Sequence, residues 1–240
     1  VFLALFGIVE RTARQRLLPR GAFDMTKSLG LVLAMMALLS ISVTVTEIFV
    51  PLFLQVLHGQ QPLAAGYITA AMAAGWTTGA IASASARDRG ADRAIFLAPL
   101  ISLIGMILLA LLSPWPTRGE WIPLTVITLS LLTVGAGVGI GWPHLLTRVL
   151  QVAPADEKDL ASASITTVQL VATALCAIAG MVANLAGLTD PGGVIGTSSA
   201  AFWLFAVFAL APAVALLAAI NIMRQRQRPA IAALPRPSQS

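Results

Sequence analysis

The chain has 240 residues, of which 58% are hydrophobic and 10% charged, and its net charge is +5. A water-soluble domain usually carries about 25% charged residues, so this composition excludes a soluble globular fold and points to a chain whose solvent is lipid. An apolar bilayer core about 30 Å thick takes about 20 helical residues to cross, so the informative count is of spanning segments.

Residues 1–9, VFLALFGIV, are apolar but too short to cross, and run directly into a basic stretch; they are expected to be the end of a preceding transmembrane helix, which makes the chain a fragment. Residues 10–27 form a basic cytoplasmic linker. Six stretches then qualify as spans: 28–57, 64–86, 94–113, 121–150, 160–188 and 200–223. Together they predict one six-helix transmembrane unit over 28–223. Residues 224–240, basic and then rich in Pro and Ser, are expected to be a disordered cytoplasmic tail. The third and sixth stretches are apolar all round, which no surface helix of a soluble protein can be. A β-barrel would need strands of about ten residues with strict alternation. The fold class predicted is all-α, a polytopic membrane protein.

On the first helix Ser40, Thr44, Glu47, Pro51 and Gln55 fall within about 80° of one another at 100° per residue, forming a polar stripe. The fifth repeats the arrangement with Ser162, Thr166, Gln169, Thr173, Cys176, Gly180 and Asn184. Faces of this kind do not meet lipid comfortably, so both are expected to point into the bundle or to line a wet cavity. In the second helix Gly75 and Gly79 make a GxxxG pair, continued by Ser83, and in the fourth Gly135 with Gly139 and Gly137 with Gly141 make two interleaved pairs that let backbones approach closely. The run GAGVGIGWPH is no dinucleotide fingerprint, because Ile140 and Trp142 stand where glycine is needed. Pro51 and Pro143 sit at similar depths in the first and fourth helices, where each removes a ladder bond. Matched features on helices of opposite direction predict two inverted three-helix repeats.

Charge predicts orientation. With the segment before residue 28 in the cytoplasm, alternating loops place fourteen of the fifteen Lys and Arg residues inside and only Arg118 outside, as the positive-inside rule requires. Both ends of the six-helix unit are then cytoplasmic, in a cell membrane. The net positive charge follows from topology, and no nucleic-acid partner is expected. Cys176 is the only cysteine, so no intrachain disulfide forms.

A membrane-embedded enzyme would need converging Asp, His or Cys groups, whereas His58 falls in an outer loop and His144 near the inner end of the fourth helix. No catalytic residue, metal site or cofactor is expected. A channel would need a ring of charges or carbonyls, and none is visible.

Four stretches carry a likeness to a known family: LLPRGAF before the first helix, VPLFLQVLHGQQPLAAG across the first outer loop, GAGVGIGWP in the fourth helix, and VAPADEKDLASASITTVQL leading into the fifth. The chain resembles the C-terminal six-helix half of a major facilitator superfamily transporter, in the branch of fourteen-helix drug:proton antiporters. The resemblance implies export of drugs or other small amphipathic compounds, exchanged for protons, by a protein whose N-terminal half is missing from this chain. It also implies a gating role for the cytoplasmic loop of Arg87, Asp88, Arg89, Gly90 and Arg93, although the order here departs from the superfamily's Asp-Arg-x-Gly pattern. Where relatives often show RQLGGALG in the fifth helix this chain has VQLVATAL, which keeps Gln169 and loses the arginine and glycines.

Glu47 is the one acidic residue deep within a span, roughly ten residues from its outer end. Exposing a carboxylate to lipid there would cost a few kcal/mol, and protonation removes most of that cost. The expectation is that Glu47, with Thr44, Gln55, Gln169 and Thr173, handles protons and substrate, while Pro51, Gly75, Gly79, Gly135, Gly139 and Pro143 serve packing or gating. Two alternatives are a structural carboxylate bonded to Thr44 or another helix, and a non-transporting assembly module that needs a partner chain.

Overall fold

The computed structural model describes residues 17–117 and 119–232, with side chains as far as Gln225. The apolar segment 1–9, most of the linker 10–27, Arg118 and the end of the tail lie outside the described residues. The helices are α1 (Ser28–Val56), α2 (Pro62–Ser83), α3 (Arg89–Leu112), α4 (Trp121–Val152), α5 (Lys158–Leu175), α6 (Ala177–Leu185), α7 (Gly193–Phe208) and α8 (Leu210–Ala232), with a 3-10 turn at Ala155–Glu157. The described residues form no strand, as expected where no water is available to pair an open backbone.

Side-chain ties fix the topology. His58 after α1 meets Thr117 before α4, and Ser198 at the start of α7 donates to the Pro114 carbonyl at 2.6 Å, so those turns share one end of the bundle. At the other end the Arg20 N–H donates to Glu157 Oε2 at 2.6 Å while its guanidinium Nε stands 3.0 Å from Oε1. There too the Ser28 hydroxyl donates to Gln225 Oε1, and Gln225 Nε2 to the Thr26 carbonyl, both at 2.9 Å. The chain therefore passes six times between the ends, α5 with α6 and α7 with α8 each making one pass. Arg20, Lys27, Arg87, Arg89, Arg93, Arg148, Lys158 and Arg224 all belong to the second end, here called the basic end.

Five of the six passes are long and apolar enough to cross a membrane. The sixth, α2, has the length at 22 residues, about 33 Å of helix, but is built from Ala, Gly and Thr with few long aliphatic side chains. This is a multi-pass membrane bundle. Its packing is exchanged between triads: α1 lies against α5 and α8, and α4 against α2 and α3. The lead helix of each triad thus packs on the followers of the other, the arrangement an inverted repeat produces.

Apolar side chains fill the centre. Phe53 of α1 meets Phe205 of α7 edge to face at 5.7 Å, and Met35, Met36, Leu39, Met106, Leu109, Leu131 and Leu204 are fully buried around them. At the α2–α4 crossing a Cβ added at Gly75 or Gly135 would collide with the backbone carbonyl of Leu132 or Met72. Gly79 and Gly139 stand in the same relation to Ala136 and Trp76. The other glycine face of α4 serves α3: a Cβ at Gly137 would strike Ser102, and one at Gly141 would strike Ala98. Lipid tails give no hydrophobic drive for helices to associate, so such backbone approach supplies dispersion contact that longer side chains would prevent.

Several boundaries differ from the sequence expectation. The fifth pass tightens at Cys176, whose N–H reaches back to Thr173, and the sixth is interrupted at Ala209. The sixth also starts at Gly193, seven residues earlier than its apolar run. Its small residues read as loop, yet they let Gly196 approach the Gly187 backbone and bury Thr197. At the other terminus α8 continues to Ala232, into the expected tail, through a stretch whose Arg and Gln residues favour helix. The third helix, apolar all round in sequence, still turns one face inward: Ala94, Ala98, Ser102, Gly105 and Met106 are buried. Nor is the linker merely solvated, since Leu18 and Ala22 join the core.

Candidate functional site

The polar stripe of α1 runs down a side of the bundle that no other helix of the chain covers completely. Ser40 is buried against the core and Thr44 and Pro51 are half-buried, while Glu47 and Gln55 are exposed. On the opposite face Val43, Val45, Phe49, Val50 and Phe53 take the core positions. The stripe does not point into the bundle, which corrects the first of the two expectations for it: apolar side chains fill the interior and leave no room for a carboxylate. The remaining expectation, a wall of a wet cavity, requires something beyond these helices to complete it. Glu47 makes no hydrogen bond or ion pair among the described residues. Gln55 donates to the Pro51 carbonyl on its own helix at 3.0 Å.

The fifth-helix stripe is similarly open. Ser162, Thr166, Thr173 and Asn184 are exposed, and Gln169 and Gly180 half-buried. The two stripes touch at Cys176, which is 4% exposed. Its thiol faces the Ile41 carbonyl of α1 at 3.9 Å and the Ala172 carbonyl at 3.4 Å, and lies beside the Thr44 hydroxyl. Thr44 is one helical turn from Glu47, and Thr173 about one turn from Cys176. Both helices run away from the basic end, so Glu47 lies a turn beyond this contact and Thr173 a turn before it, with Gln169 a further turn towards the basic end. Of the predicted site residues only Thr44 is brought against the fifth-helix stripe. Gln55 stands two turns beyond Glu47 towards the other end.

Hydroxyl groups the sequence reading passed over lie on the core face. Ser42 donates to Leu38 and Thr46 to Ser42, each to the carbonyl four residues back, and Thr46 also meets Met106 Sδ at 3.5 Å. The alternation of Ser and Thr with Val over 42–46 was the available signal.

At the basic end the α2–α3 turn and the end of α4 enclose a cavity of about 410 Å³, with Arg87, Asp88, Asp92, His144, Arg148 and Gln151 among its walls. Of the five loop residues singled out by sequence, Arg87 and Asp88 line it; Arg89 and Arg93 are exposed, and Gly90 is half-buried. Asp88 holds φ at +46°, a conformation non-glycine residues adopt at some cost. Pro143 is on the cavity wall beside His144, whose Nε2 lies 3.0 Å from the Ser83 carbonyl and so ties α4 to the end of α2. Near the same end the Thr26 hydroxyl and N–H hold the Asp24 carboxyl below the usual range, helped by Lys27. No group of three or more His, Cys, Asp or Glu residues suited to a metal occurs among the described residues.

A bundle of six passes with exchanged triads and a glycine-lined α4 is a fold whose sequence can be compared with known ones. The sequence profile of the Major Facilitator Superfamily matches residues 2–177. The chain belongs to the Major Facilitator Superfamily. Two proteins of Mycobacterium tuberculosis, from strains CDC 1551 / Oshkosh and ATCC 25618 / H37Rv, each carry the name "Probable multidrug-efflux transporter" and are each 33% identical to this chain over 243 aligned positions. The alignment takes in 95% of this chain and 47% of each relative, so the chain spans about half the length of the curated relatives it matches. For a superfamily chain of this extent, an uncovered polar face on α1 and α5 is the feature that bears on function.

Proposed function

We propose that this chain forms one wall of a membrane transporter that exports drugs or other small amphipathic compounds in exchange for protons, the other wall being an N-terminal half of the same transporter. The observation that carries the reading is Glu47: a carboxyl within a spanning helix, on a face the bundle leaves uncovered, and unpaired among the described residues. Intramembrane acids of this kind mark ion and substrate paths. The names carried by the relatives support export as the direction.

In the proposed cycle Glu47, with Thr44, Thr173, Gln169 and Gln55, faces a central cavity that opens alternately to each side. Facing outward, Glu47 takes a proton and loosens its hold on a cationic compound; facing inward, it loses the proton and the site is restored. The basic end lies in the cytoplasm of a cell membrane, as the positive-inside rule favours. Arg87, Asp88, Arg89, Gly90 and Arg93 then form a cytoplasmic gate beside the inner end of α4. The seam of Gly75, Gly79, Gly135 and Gly139 and the ladder bonds missing at Pro51 and Pro143 let helices shift without losing contact.

The test is Glu47→Gln in the full-length transporter, reconstituted in vesicles with an imposed pH gradient. Loss of gradient-driven export, with gradient-independent binding retained, is expected; coupling equal to the wild type's removes Glu47 from the mechanism. Orientation is tested separately, by labelling single cysteines at Gly59 and Ser85 from each side.

A further inference from the structure

The end opposite the basic one is closed by a buried histidine. His58 follows α1 directly and its ring is inaccessible to solvent. Nδ1 lies 2.7 Å from Thr117 Oγ1 and Nε2 3.2 Å from the Ser113 carbonyl oxygen, both on the turn between α3 and α4. The Thr117 N–H also donates to the Leu57 carbonyl at 3.2 Å, and the Gln60 side chain donates to the His58 carbonyl at 3.0 Å. Through the Ser198–Pro114 bond the same turn holds the start of α7. The turns α1–α2 and α3–α4 and the start of α7 are thus joined through one imidazole and its neighbours.

We propose that His58 is a proton-released latch: its neutral ring ties the α1–α2 turn to the α3–α4 turn, and protonation at mildly acidic pH frees them. The hydrogen-bond roles follow from the partners. A carbonyl can only accept, so Nε2 carries the hydrogen; Nδ1 is then an acceptor, and the Thr117 hydroxyl donates to it. One neutral tautomer satisfies every atom of the arrangement. An imidazolium does not: it donates at both nitrogens, turns the Thr117 hydroxyl round, and places a positive charge where there is no water.

No described carboxylate is placed to compensate that charge. In the segments packed about the ring the charged groups are Glu120, which is exposed, Asp190 in the loop before α7, also exposed, and Arg118, which lies outside the described residues. Residues 57–61 contribute no charge besides His58 itself, and neither do the first turns of α7. Burial holds the imidazole below its ordinary value, opposed in part by the Ser113 carbonyl, which favours the protonated ring. An opened turn returns the ring to water and to a value of about 6.5. The open form therefore binds more protons. The latch is fully favoured above the open-form value and weakens as pH falls through it, by up to tenfold in the opening equilibrium per pH unit until the latched ring itself titrates. Under the orientation proposed above this end meets the external medium, so the side that supplies protons is also the side that loosens it; the latch itself does not depend on that orientation.

The experiment is hydrogen exchange of the full-length protein in nanodiscs between pH 7.5 and 5, corrected for intrinsic exchange, read at peptides covering 54–61 and 113–120. Protection in the wild type is expected to fall in the acid range. His58→Gln keeps one donor and one acceptor without titrating, so its protection should stay constant. Equal pH dependence in the two proteins overturns the latch. Should the variant fail to fold, histidine-labelled wild type answers the question by NMR: an Nε2–H ring titrating below 6.5 together with the loss of loop protection supports the proposal. A ring titrating at or above 6.5, or protection flat through its titration, overturns it.

Discussion

An alanine at Gly79 tests whether the glycine seam holds α2 to α4. The added Cβ would stand 2.5 Å from the Ala136 carbonyl oxygen and 3.1 Å from its Cα, so the helices must part by about 1 Å to restore ordinary van der Waals distance. Both obstructing atoms are backbone, and no side-chain rotation relieves them. A gap of that size forfeits a quarter to a half of about 0.1–0.2 kcal/mol per atom pair, or about 1–3 kcal/mol over the roughly thirty pairs of a helix crossing. Opposing this, Ala in place of Gly stabilises a helix interior by about 0.5–1 kcal/mol. Gly180 supplies the control, because nothing lies within 4 Å of a Cβ added there, and Gly180→Ala receives the propensity gain alone. The full-length protein unfolded in mixed detergent micelles should therefore show Gly79→Ala about 1–3 kcal/mol less stable than Gly180→Ala, the two falling on opposite sides of the wild type. If both substitutions stabilise alike, the seam is not the contact described here.

Further expectations concern the polar ties at the basic end. Glu157→Ala should destabilise by about 1–2 kcal/mol, because a largely buried carboxylate that accepts the Arg20 N–H is lost. Arg20→Ala should cost less than about 1 kcal/mol, since its 71% exposed side chain is screened; denaturant titrations at low and high salt separate the two contributions. His144→Leu should cost about 1 kcal/mol and not the larger penalty of an orphaned carbonyl, because the Ala86 N–H still pairs with the Ser83 oxygen. Parallel unfolding of His144→Gln, which keeps a donor, should recover part of that loss.

The spans, the close-packing glycines and the inverted repeat were legible because each rests on local pattern: run length, GxxxG spacing, matched prolines. Tertiary partners were less so. Gly193 to Ser199 read as loop because small residues carry no helical period, yet Gly196 needs its missing side chain to approach Gly187. The tightening at Cys176 has no Pro or Gly to announce it. His58 was legible as a loop residue after the first helix, but its partners lie 55 and 59 residues further on, and pairing at that separation leaves no mark in one sequence. The stripe on α1 was legible as a stripe; which side of the bundle it faced depended on how the core packs.

That dependence bears on what the uncovered face can do. Most hydroxyls in the spans satisfy themselves: Thr69, Thr77, Thr125, Thr128, Ser130, Thr133 and Thr147 each donate to the carbonyl four residues back. Such groups are indifferent to what lies opposite, and Gln55 has bonded back in the same way. Glu47 has no equivalent escape, since a carboxylate cannot donate to its own helix and finds no donor among the described residues. Lipid, water or another protein surface must meet it, and the three differ in the charge they permit. Lipid enforces the protonated form, open water the ionised one, and a cavity that alternates between wet and occupied permits both in turn. The alternation proposed for transport is thus the one surrounding in which this side chain has work that an amide would not do, which is why the comparison of Glu47 with Gln decides between coupling and mere polarity.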